Sequence, residues 1–387
     1  MRRLWLLFAQ TVTVVLALYF VYTAVGRERP APVRVQQMGS TDHPAAMLEA
    51  GPSKPPLSAG GSYRAAAARA MPAVVNIITS KAPKRGKHPL LRDPFFKKFF
   101  DNRDRDDDDE ESSLGSGVIV SAQGYILTNN HVVEGADEIE VVLADGRKAA
   151  AKLVGTDPET DLAVIKISLD KLPVIVLGQA EQVQVGDVVL AIGNPFGVGQ
   201  TVTMGIISAL GRNNLHINHF ENFIQTDAAI NFGNSGGALV DAGGNLLGIN
   251  SAIYSQTGGS VGIGFAIPVS TAKNVMEAII KTGHVVRGWI GVESQEITPE
   301  LAASFGLQRQ SGAIIAGVVR NGPADKGGIR PGDILLSVDG KPVADTNSML
   351  NLIAQLAPGG KAKMTVLRKS KETTLDITVG KRPPNTK

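Results

Sequence analysis

Between residues 114 and 267 the sequence is a series of short apolar runs separated by turn residues, and this pattern limits the fold to a β-rich architecture. Typical runs are GSGVIVS, DLAVIKI, VGDVVLAIGNP and LLGINSAIY. Alternating runs of this kind, divided at regular intervals by turn signals, indicate the strands of a barrel or a sandwich. The 43 glycines in 387 residues agree with a turn-rich fold, since glycine makes up about 7% of an average protein. We therefore predict a mostly β protein.

A helical pattern follows the strands. Residues 270–283, STAKNVMEAIIKTG, place apolar residues at helical spacing and end in Lys281 and Gly283, a combination typical of a helix C-terminus. The rest of the chain contains strand-like runs such as GAIIAGVV and KMTVLRK and one helical pattern, TNSMLNLIAQLA. The segment from residue 284 to residue 383 is long enough to form a small domain. The sequence therefore predicts one domain over 63–283 and a second over 284–383.

The N-terminus is apolar for longer than a secretory signal requires. Residues 4–25 contain no charged side chain, whereas the apolar region of a signal peptide spans about 7–15 residues. A run of this length can cross a bilayer as a helix, and Arg2 and Arg3 favour a cytoplasmic N-terminus. We predict a transmembrane anchor over 1–26. The alternative is cleavage after AVG at 24–26, which would release a soluble secreted protein.

Two segments lack any regular pattern. Residues 27–62, rich in Pro, Gly, Ser and Ala, indicate a flexible linker. Residues 81–113 form a charged insertion in which an acidic run, DNRDRDDDDEE, lacks the alternating ligands and central glycine of an EF-hand calcium loop; we interpret it as a solvated loop. Its phenylalanines are spaced as one stripe of a helical turn, and they either fix the loop to its own domain or form a regulatory or subunit contact: Phe95, Phe96, Phe99 and Phe100.

A serine surrounded by glycines lies in NFGNSGGALV, residues 231–240. Glycine permits either a tight turn or a loop that directs backbone N–H groups to one point beside a nucleophile. A nucleophilic Ser235 needs a histidine base and an acid that orients the imidazole. His131 ends the apolar run YILTNNHVV, and Asp161 precedes the run LAVIKI. Each of these two residues taken alone is also consistent with an ordinary packed histidine or a strand-start aspartate.

Taken together, the three residues follow the His–Asp–Ser order of chymotrypsin-like enzymes. The glycines around the serine then acquire a purpose. The backbone N–H groups of Gly233 and Ser235, on either side of Asn234, are predicted to line an oxyanion hole, which stabilises the negative charge of a tetrahedral intermediate.

The blocks TNNHVV, TDLAVIKI and GNSGGALVD resemble the three signature blocks of the HtrA/Deg serine proteases. GSGVIVS, AIGNPFG, QTDAAIN and GIGFAIPV match further blocks of that family, and the resemblance covers about residues 63–383. It implies two six-stranded chymotrypsin-like β-barrels, with the catalytic triad His131, Asp161 and Ser235 between them, followed by one α+β PDZ domain.

The resemblance also implies two sets of binding residues. The primary specificity pocket is implied to contain Ile230, Ser251, Ala252 and Ile253. These side chains are small or apolar, so we expect cleavage after small aliphatic residues. The block RGWIGV resembles the carboxylate-binding loop of the family's PDZ domains, which implies that a peptide C-terminus is surrounded by Trp289, Ile290, Gly291 and Val292. A tryptophan stands here where the family more often has Tyr or Phe.

One PDZ domain combined with an N-terminal anchor is most similar to the DegS-type members of the family. That similarity implies a homotrimer in the bacterial inner membrane with its catalytic and PDZ domains in the periplasm. It also implies a PDZ domain that senses exposed C-termini, and as substrates misfolded envelope proteins or a membrane-anchored anti-sigma factor. The insertion at 81–113 departs from this type and is more similar to the longer loops of DegP-like members.

Other functional classes find little support in the sequence. A net charge of +3 does not favour nucleic acid, and a chain without cysteine has no disulfides or thiolate nucleophile. His216 and His219 have no visible third metal ligand, and we predict neither a metal nor another cofactor; the resemblance places these histidines in a loop that senses activation. The alternative function is a membrane-tethered peptide-binding or chaperone protein with a vestigial catalytic site, against which the intact triad and glycine loop argue.

Overall fold

The computed structural model describes residues 34–35, 47–49, 62–80, 113–194, 199–215, 217–231, 233–253, 260–304 and 311–383. The strands are β1 Arg34–Val35, β2 Leu48–Glu49, β3 Val74–Ser80, β4 Ser113–Ile119, β5 Tyr125–Thr128, β6 Glu138–Val142, β7 Lys148–Ala150, β8 Lys152–Asp157, β9 Leu162–Lys166, β10 Val176–Leu177, β11 Val188–Gly193, β12 Thr201–Arg212, β13 Phe223–Thr226, β14 Ala238–Asp241, β15 Leu246–Ile253, β16 Gly264–Pro268, β17 Gly288–Trp289, β18 Val292–Gln295, β19 Ala313–Val318, β20 Ile334–Val338, β21 Lys341–Pro342, β22 Lys361–Arg368, β23 Lys371–Thr378 and β24 Gly380–Lys381. The helices are α1 Arg64–Ala70, α2 Asn130–Val133, α3 Val269–Thr282, α4 Pro299–Ser304, α5 Pro323–Lys326 and α6 Thr346–Ala354.

The first barrel is built from β3 to β9, which pair in the order β7-β6-β3-β4-β5-β9-β8. All of these pairs are antiparallel. Only Ala151 separates β7 from β8, and its N–H donates to Ile139 O. β7 and β8 are the two end strands of this sheet, and they are consecutive in the chain. The bend at Ala151 therefore joins the two ends of the sheet and closes the barrel. The interior holds β-branched side chains such as Ile77, Ile119 and Ile165, which fit well on a pleated surface.

The second barrel is a closed ring. β11 pairs with β12, β12 with β13, β13 with β16, β16 with β15, β15 with β14, and β14 with β11. Every strand of this ring has a neighbour on both sides, so the sheet closes on itself as a six-stranded barrel. Its own apolar cluster includes Ile207, Ile224 and Leu239. The expected chymotrypsin-like pair of barrels is confirmed.

α3 packs over the core that joins the two barrels. Its buried residues Val275, Met276 and Ile279 belong to one cluster with side chains from both barrels. The helix ends at Gly283, which has a left-handed φ of 76° and donates its N–H to Ile279 O. The predicted helix is therefore confirmed, and it begins one residue earlier than expected, at Val269.

The C-terminal domain has its own sheet and its own core. The sheet has the order β18-β19-β20-β22-β23, with β21 on β20, and β17 and β24 form a separate pair. The start of α6 is held by a capping box in which Asp345 and Ser348 bond each other's backbone N–H groups. The separate apolar cluster, which includes Ile315, Leu335 and Met364, identifies this part of the chain as a domain.

Part of the predicted linker is packed against the second barrel. Leu48–Glu49 runs parallel to Val176–Leu177 and antiparallel to Arg34–Val35. Met47 is only 7% exposed and belongs to the cluster that joins the barrels. The expectation of a flexible spacer is therefore wrong for these residues, because the open edge of β10 supplies backbone hydrogen-bond partners and the cluster takes up an apolar side chain.

Two other predicted segments lie outside the described residues. They are the anchor over 1–26 and nearly all of the insertion over 81–113, including its phenylalanines. Among the residues that the structure describes, no helix is both long and apolar enough to cross a membrane.

Candidate active site

His131 and Asp161 meet at one end of the first barrel. β5 ends where β9 begins, since Thr128 pairs with Ala163, so the residues that follow β5 and precede β9 are neighbours. The backbone of Asp161 has a left-handed φ of 58°, which costs a non-glycine residue about 1–3 kcal/mol. Its carbonyl oxygen accepts hydrogen bonds from Asn129 Nδ2 at 2.9 Å and from Asn130 N at 3.1 Å. These two bonds hold the strained conformation in place.

The strained backbone directs the carboxylate of Asp161 toward His131. The ring Nδ1 of His131 lies 2.8 Å from Asp161 Oδ2, and the backbone N–H of His131 donates to Asp161 Oδ1 at 3.0 Å. A hydrogen bond to Nδ1 fixes the imidazole tautomer and leaves Nε2 as the acceptor. The predicted acid and base are therefore in contact, in the arrangement that a general base requires.

The pKa of His131 is raised above its usual value by its surroundings. Burial is the largest single effect and lowers the pKa, but the negative charge of Asp161, its hydrogen bond and the charge of Glu134 together outweigh it. The two negative charges and the hydrogen bond to Asp161 each favour the protonated imidazolium. The site is therefore suited to hold the proton that a base accepts from a nucleophile.

Ser235 is linked to this pair through Ser251. Ser235 Oγ donates to Ser251 O at 3.2 Å, and Ser251 Oγ donates to Asp161 Oδ2 at 3.1 Å. A hydroxyl has one hydrogen, so in this conformation Ser235 does not donate it to His131. The bond from Ser251 to the acid was not foreseen from the sequence, because Ser251 lies in the second barrel and nothing in the local pattern of residues links it to Asp161.

The glycines around Ser235 fit positions that a side chain could not occupy. A Cβ on Gly236, which has a φ of 82°, would lie 2.1 Å from Ser116 O. A Cβ on Gly237 would lie 2.3 Å from Ile192 O. Asn234 N donates to Asn231 O, and Gly233 has a left-handed φ of 89°, which glycine adopts without a steric penalty. The stretch is thus both a tight turn and a loop that presents Ser235.

The two amides predicted for the oxyanion hole lie on this loop. The N–H groups of Gly233 and Ser235 have no acceptor among the described residues, whereas Asn234 O accepts from Gly237 N at 2.9 Å. An oxyanion hole consists of donors that remain available for the substrate. Among the described residues, the N–H groups of Gly233 and Ser235 meet this requirement.

A residue of the first barrel, Ser116, contacts the same loop. Its backbone N–H donates to Ser235 O at 2.8 Å, and its Oγ donates to Gly233 O at 2.6 Å and accepts from Asn194 N at 2.8 Å. Thr128 Oγ1 donates to Ser116 O at 2.7 Å. Sequence reasoning gave Ser116 no role, although the GSGVIVS block that contains it was noted.

The residues predicted for the specificity pocket have different environments. Ile230 is buried in the core of the second barrel, where Gly264 packs against its side chain. Ser251 is hydrogen-bonded to Ser235 and Asp161, and Ala252 is 7% exposed. Ile253 is the last residue of β15, and its side chain lies outside the description.

The predicted carboxylate-binding loop lies at the start of the C-terminal domain. Ile290 is buried in that domain's core, and Gly291 has a φ of 76°. The ring of Trp289 covers Gly291, because a Cβ there would lie 2.9 Å from the ring. Val292 begins β18, which lies at one end of its sheet and pairs only with β19. This edge is where a PDZ domain adds a peptide strand.

Two arginines of the C-terminal domain are bound to the first barrel. Arg287 Nη1 donates to Asp157 Oδ1 at 2.7 Å and to Glu159 Oε2 at 3.2 Å, and Arg382 Nε donates to Glu159 Oε1 at 2.8 Å. Both guanidinium groups lie over the ring of Phe220, at 4.4 Å and 5.3 Å from its centroid. The Asp157–Arg287 pair is buried, so the interface between the domains contains a desolvated ion pair.

The loop between β12 and β13 connects this interface to the residue next to Asp161. The buried carboxylate of Glu221 accepts the N–H groups of Leu215, Ile217 and Asn218. Asn218 Nδ2 donates to the carbonyl of Thr160 at 3.2 Å, and Thr160 directly precedes Asp161, the predicted acid. His216, one of the two histidines considered as metal ligands, lies outside the described residues.

Comparisons with known proteins agree with this architecture. A model of the trypsin-like peptidase domain matches residues 115–249, and a model of the PDZ domain matches residues 288–379. A probable periplasmic serine endoprotease DegP-like of Pseudomonas putida is 47% identical over 330 residues, covering 81% of this chain and 69% of the relative. A protein of the same description from Chlamydia trachomatis is 45% identical over 335 residues, covering 82% and 67%.

Solved structures are similar as well. The HtrA-type protease AlgW with a decapeptide has a TM-score of 0.70 at 54% identity, covering 84% of this chain and 99% of AlgW. The serine endoprotease from Yersinia pestis has a TM-score of 0.61 at 40% identity, covering 83% and 98%. Together with the paired barrels, the PDZ domain and the His131–Asp161 contact, these similarities show that the chain belongs to the HtrA family of serine endoproteases.

Proposed function

We propose that Ser235 is the nucleophile of this endoprotease, that His131 is its general base and that Asp161 orients the base. The observation that carries this assignment is the double hydrogen bond between His131 and Asp161, next to a serine whose carrier loop leaves two amides unbonded. No residue of this set requires a cofactor or ATP.

In the proposed reaction, Ser235 Oγ first turns from Ser251 O to His131 Nε2. Oγ then attacks the carbonyl carbon of the scissile peptide bond while its proton passes to Nε2, and the carbonyl oxygen becomes an oxyanion beside the amides of Gly233 and Ser235. The imidazolium, stabilised by Asp161, donates the proton to the leaving amine as the C–N bond breaks. A water molecule, deprotonated by the same imidazole, then attacks the acyl carbon; the ester bond to Ser235 breaks, and the imidazolium returns the proton to Oγ as the carboxylic acid product leaves.

We further propose that the PDZ domain senses exposed C-termini and controls the active site. The solved AlgW structures contain a decapeptide or a tripeptide. In this chain Arg287 lies two residues before Trp289 of the predicted peptide loop and is bonded to Asp157 and Glu159. Along the chain, a single residue, Thr160, separates Glu159 of this interface from Asp161. A short, bonded path thus joins the peptide loop to the acid.

The proposed setting is the periplasm. The relatives are described as periplasmic, and the apolar residues 4–25 support an inner-membrane anchor. We propose a homotrimer that cleaves misfolded envelope proteins or an anti-sigma factor after small aliphatic residues, with Ile230, Ser251, Ala252 and Ile253 at the pocket. If the anchor is cleaved instead, fractionation will find the protein in the soluble periplasmic fraction.

Cleavage of β-casein by the full-length protein in detergent, without ATP, tests the assignment. We expect stimulation by peptides that end in an aromatic residue, no stimulation by the same peptides with amidated C-termini, and no cleavage by Ser235→Ala. Activity of Ser235→Ala would contradict the nucleophile. Equal activity with and without peptide would contradict sensing by the PDZ domain. Failure of the wild-type protein to cleave any substrate would favour the alternative of a binding or chaperone protein.

A further inference from the structure

We propose that Ser116 is a positioning residue for catalysis, which holds the loop over 233–237 so that the amide of Ser235 stays directed at the substrate oxyanion. This inference rests on the proposed roles of Ser235 and of the two amides. Ser116 lies on β4 of the first barrel, whereas the loop belongs to the second. The loop is therefore fixed from outside its own barrel.

Two hydrogen bonds from Ser116 orient alternate peptide units of the loop. Its Oγ donates to Gly233 O and its backbone N–H donates to Ser235 O. These carbonyls belong to the 233–234 and 235–236 peptide units. A trans peptide unit is a rigid plane, so holding these two carbonyls holds both units. Between them lies the 234–235 unit, which carries the N–H of Ser235.

The unit between them is held by its own carbonyl. Asn234 O accepts from Gly237 N at 2.9 Å. In a trans peptide the N–H points opposite to the C=O, so the N–H of Ser235 is directed away from Gly237. Every carbonyl from 233 to 235 is thus satisfied within the protein while the Ser235 amide is left for a ligand. Catalysis benefits when such donors are oriented before the oxyanion forms.

The side chain at 116 has to be both a donor and an acceptor. Ser116 Oγ donates to Gly233 O and accepts from Asn194 N, and the residue is fully buried. Neither Gly233 O nor Asn194 N has a second partner in the described parts of the chain. An alanine at 116 would leave both groups unsatisfied, which is unfavourable in a buried site, and the 233–234 unit would rotate to find a new partner.

The glycines on either side of Ser116 have a different purpose. A Cβ on Gly115 would lie 2.6 Å from the side chain of Val132, and a Cβ on Gly117 would lie 2.7 Å from that of Ile126. These positions allow β4 to pack closely in the first barrel. In the GSG sequence, packing therefore explains the glycines, and only the contacts with the catalytic loop explain the serine.

Steady-state kinetics of Ser116→Ala in the full-length protein test this inference. Removing a direct oxyanion donor lowers kcat by about 10²–10³-fold. Ser116 acts through the loop, so we expect kcat to fall about tenfold to a hundredfold with KM within about twofold of wild type. Affinity for a peptide boronate, whose adduct with a nucleophilic serine is tetrahedral, should fall by the same factor as kcat, because both measure binding of the tetrahedral state.

Ser121→Ala is the matched control. Ser121 is also fully buried and follows the same strand, but among the described residues its hydroxyl bonds Gln123 alone, within its own turn. The control should leave kcat, KM and boronate affinity unchanged. Ser116→Cys, which retains a weaker donor and acceptor, should have an intermediate kcat with an unchanged KM, and it serves as the test if Ser116→Ala does not fold.

The inference is overturned if Ser116→Ala or Ser116→Cys keeps wild-type kcat and boronate affinity while Ser235→Ala is inactive. It is also overturned if the loss is shared between kcat and KM and the Ser121→Ala control shows the same loss, since that would reflect general destabilisation. Activity of Ser235→Ala would instead refute the proposed nucleophile, so the two failures are distinguishable.

Discussion

Asp161 accepts two hydrogen bonds from His131, one from the backbone N–H and one from the ring Nδ1. The first bond positions the carboxylate against the main chain, and the second orients the imidazole. Because both bonds join the same two residues, any change in the backbone at Asp161 also changes the direction of the ring. The strained φ of Asp161 is thus part of the catalytic geometry that we propose.

Asp161→Asn should retain the left-handed backbone conformation at residue 161 and lose most of the peptidase activity. Asn tolerates the left-handed region as well as Asp does, so we expect little change in the melting temperature. An amide NH₂ group facing Nδ1 would favour the wrong tautomer, and kcat should fall by about 10⁴-fold. Kinetics and thermal unfolding of the same preparation check both parts. A variant with near wild-type kcat would contradict the role of this acid.

Glu134→Gln should shift the pH dependence of activity. Glu134 contributes to the raised pKa of His131, so its neutralisation lowers that pKa and moves the acidic limb of kcat/KM to lower pH. Because the pKa of His131 is higher in the folded state than in the unfolded state, protonation of His131 stabilises the fold at pH values below the unfolded-state pKa. This stabilisation is lost as the pH rises through the folded-state pKa. The variant, with a smaller difference between the two pKa values, should therefore be less stable than wild type at acidic pH. Glu138→Gln, an exposed residue on β6, is the control, and an unshifted profile for Glu134→Gln would refute the effect.

Gly236→Ala should prevent the loop from forming. The new Cβ would meet Ser116 O at 2.1 Å and would sit on a residue with a φ of 82°. Gly146→Ala is the matched control, because Gly146 has a φ of 85° and nothing within 4 Å of an added Cβ. We expect the control to lose about 1–2 kcal/mol of stability from its backbone alone and Gly236→Ala to lose clearly more. Equal losses in denaturant unfolding would show that the close contact does not matter.

Arg287→Ala should uncouple the PDZ domain from the active site. The substitution leaves the buried carboxylate of Asp157 without its cationic partner and with only the hydroxyl of Thr160 bonded to it among the described residues; breaking a buried ion pair in this way costs about 3–5 kcal/mol. We expect a lower melting temperature and a ratio of peptide-stimulated to basal cleavage that falls toward one. Arg330→Ala, at an exposed position of the same domain, should change neither quantity. A preserved ratio would show that the signal does not pass through this interface.

The sequence predicted the elements whose evidence is local. Strand runs, the helix over 270–283 and the candidates His131, Asp161 and Ser235 each lie in a stretch with its own pattern, and their order along the chain allowed them to be combined. The contacts of Ser116 and Ser251 could not be predicted, since each joins residues of different barrels and depends on how the barrels are packed.

The contacts between domains were equally inaccessible to sequence reasoning. Arg287 and Glu159 are ordinary surface residue types, and neither flanking stretch predicts a partner in another domain. Met47 was missed for a related reason. Two large apolar side chains, Met47 and Leu48, in a stretch rich in Pro and Ser are too short a run to predict a strand. They become significant only where the edge of β10 and an apolar cluster lie next to each other.

The two ends of the PDZ domain meet at one place on the first barrel. Gly288 pairs with Lys381, and Arg382 N donates to Arg287 O at 2.9 Å, so the arginines that stack on Phe220 lie directly before the first strand and directly after the last strand of the domain. Two asparagines of α6, Asn347 and Asn351, add contacts with the loop between β12 and β13. Because the two termini of the domain are bonded to each other next to Trp289, a displacement of the predicted peptide loop would pull on both arginines together, and the protease would receive it from the start and the end of the domain at once.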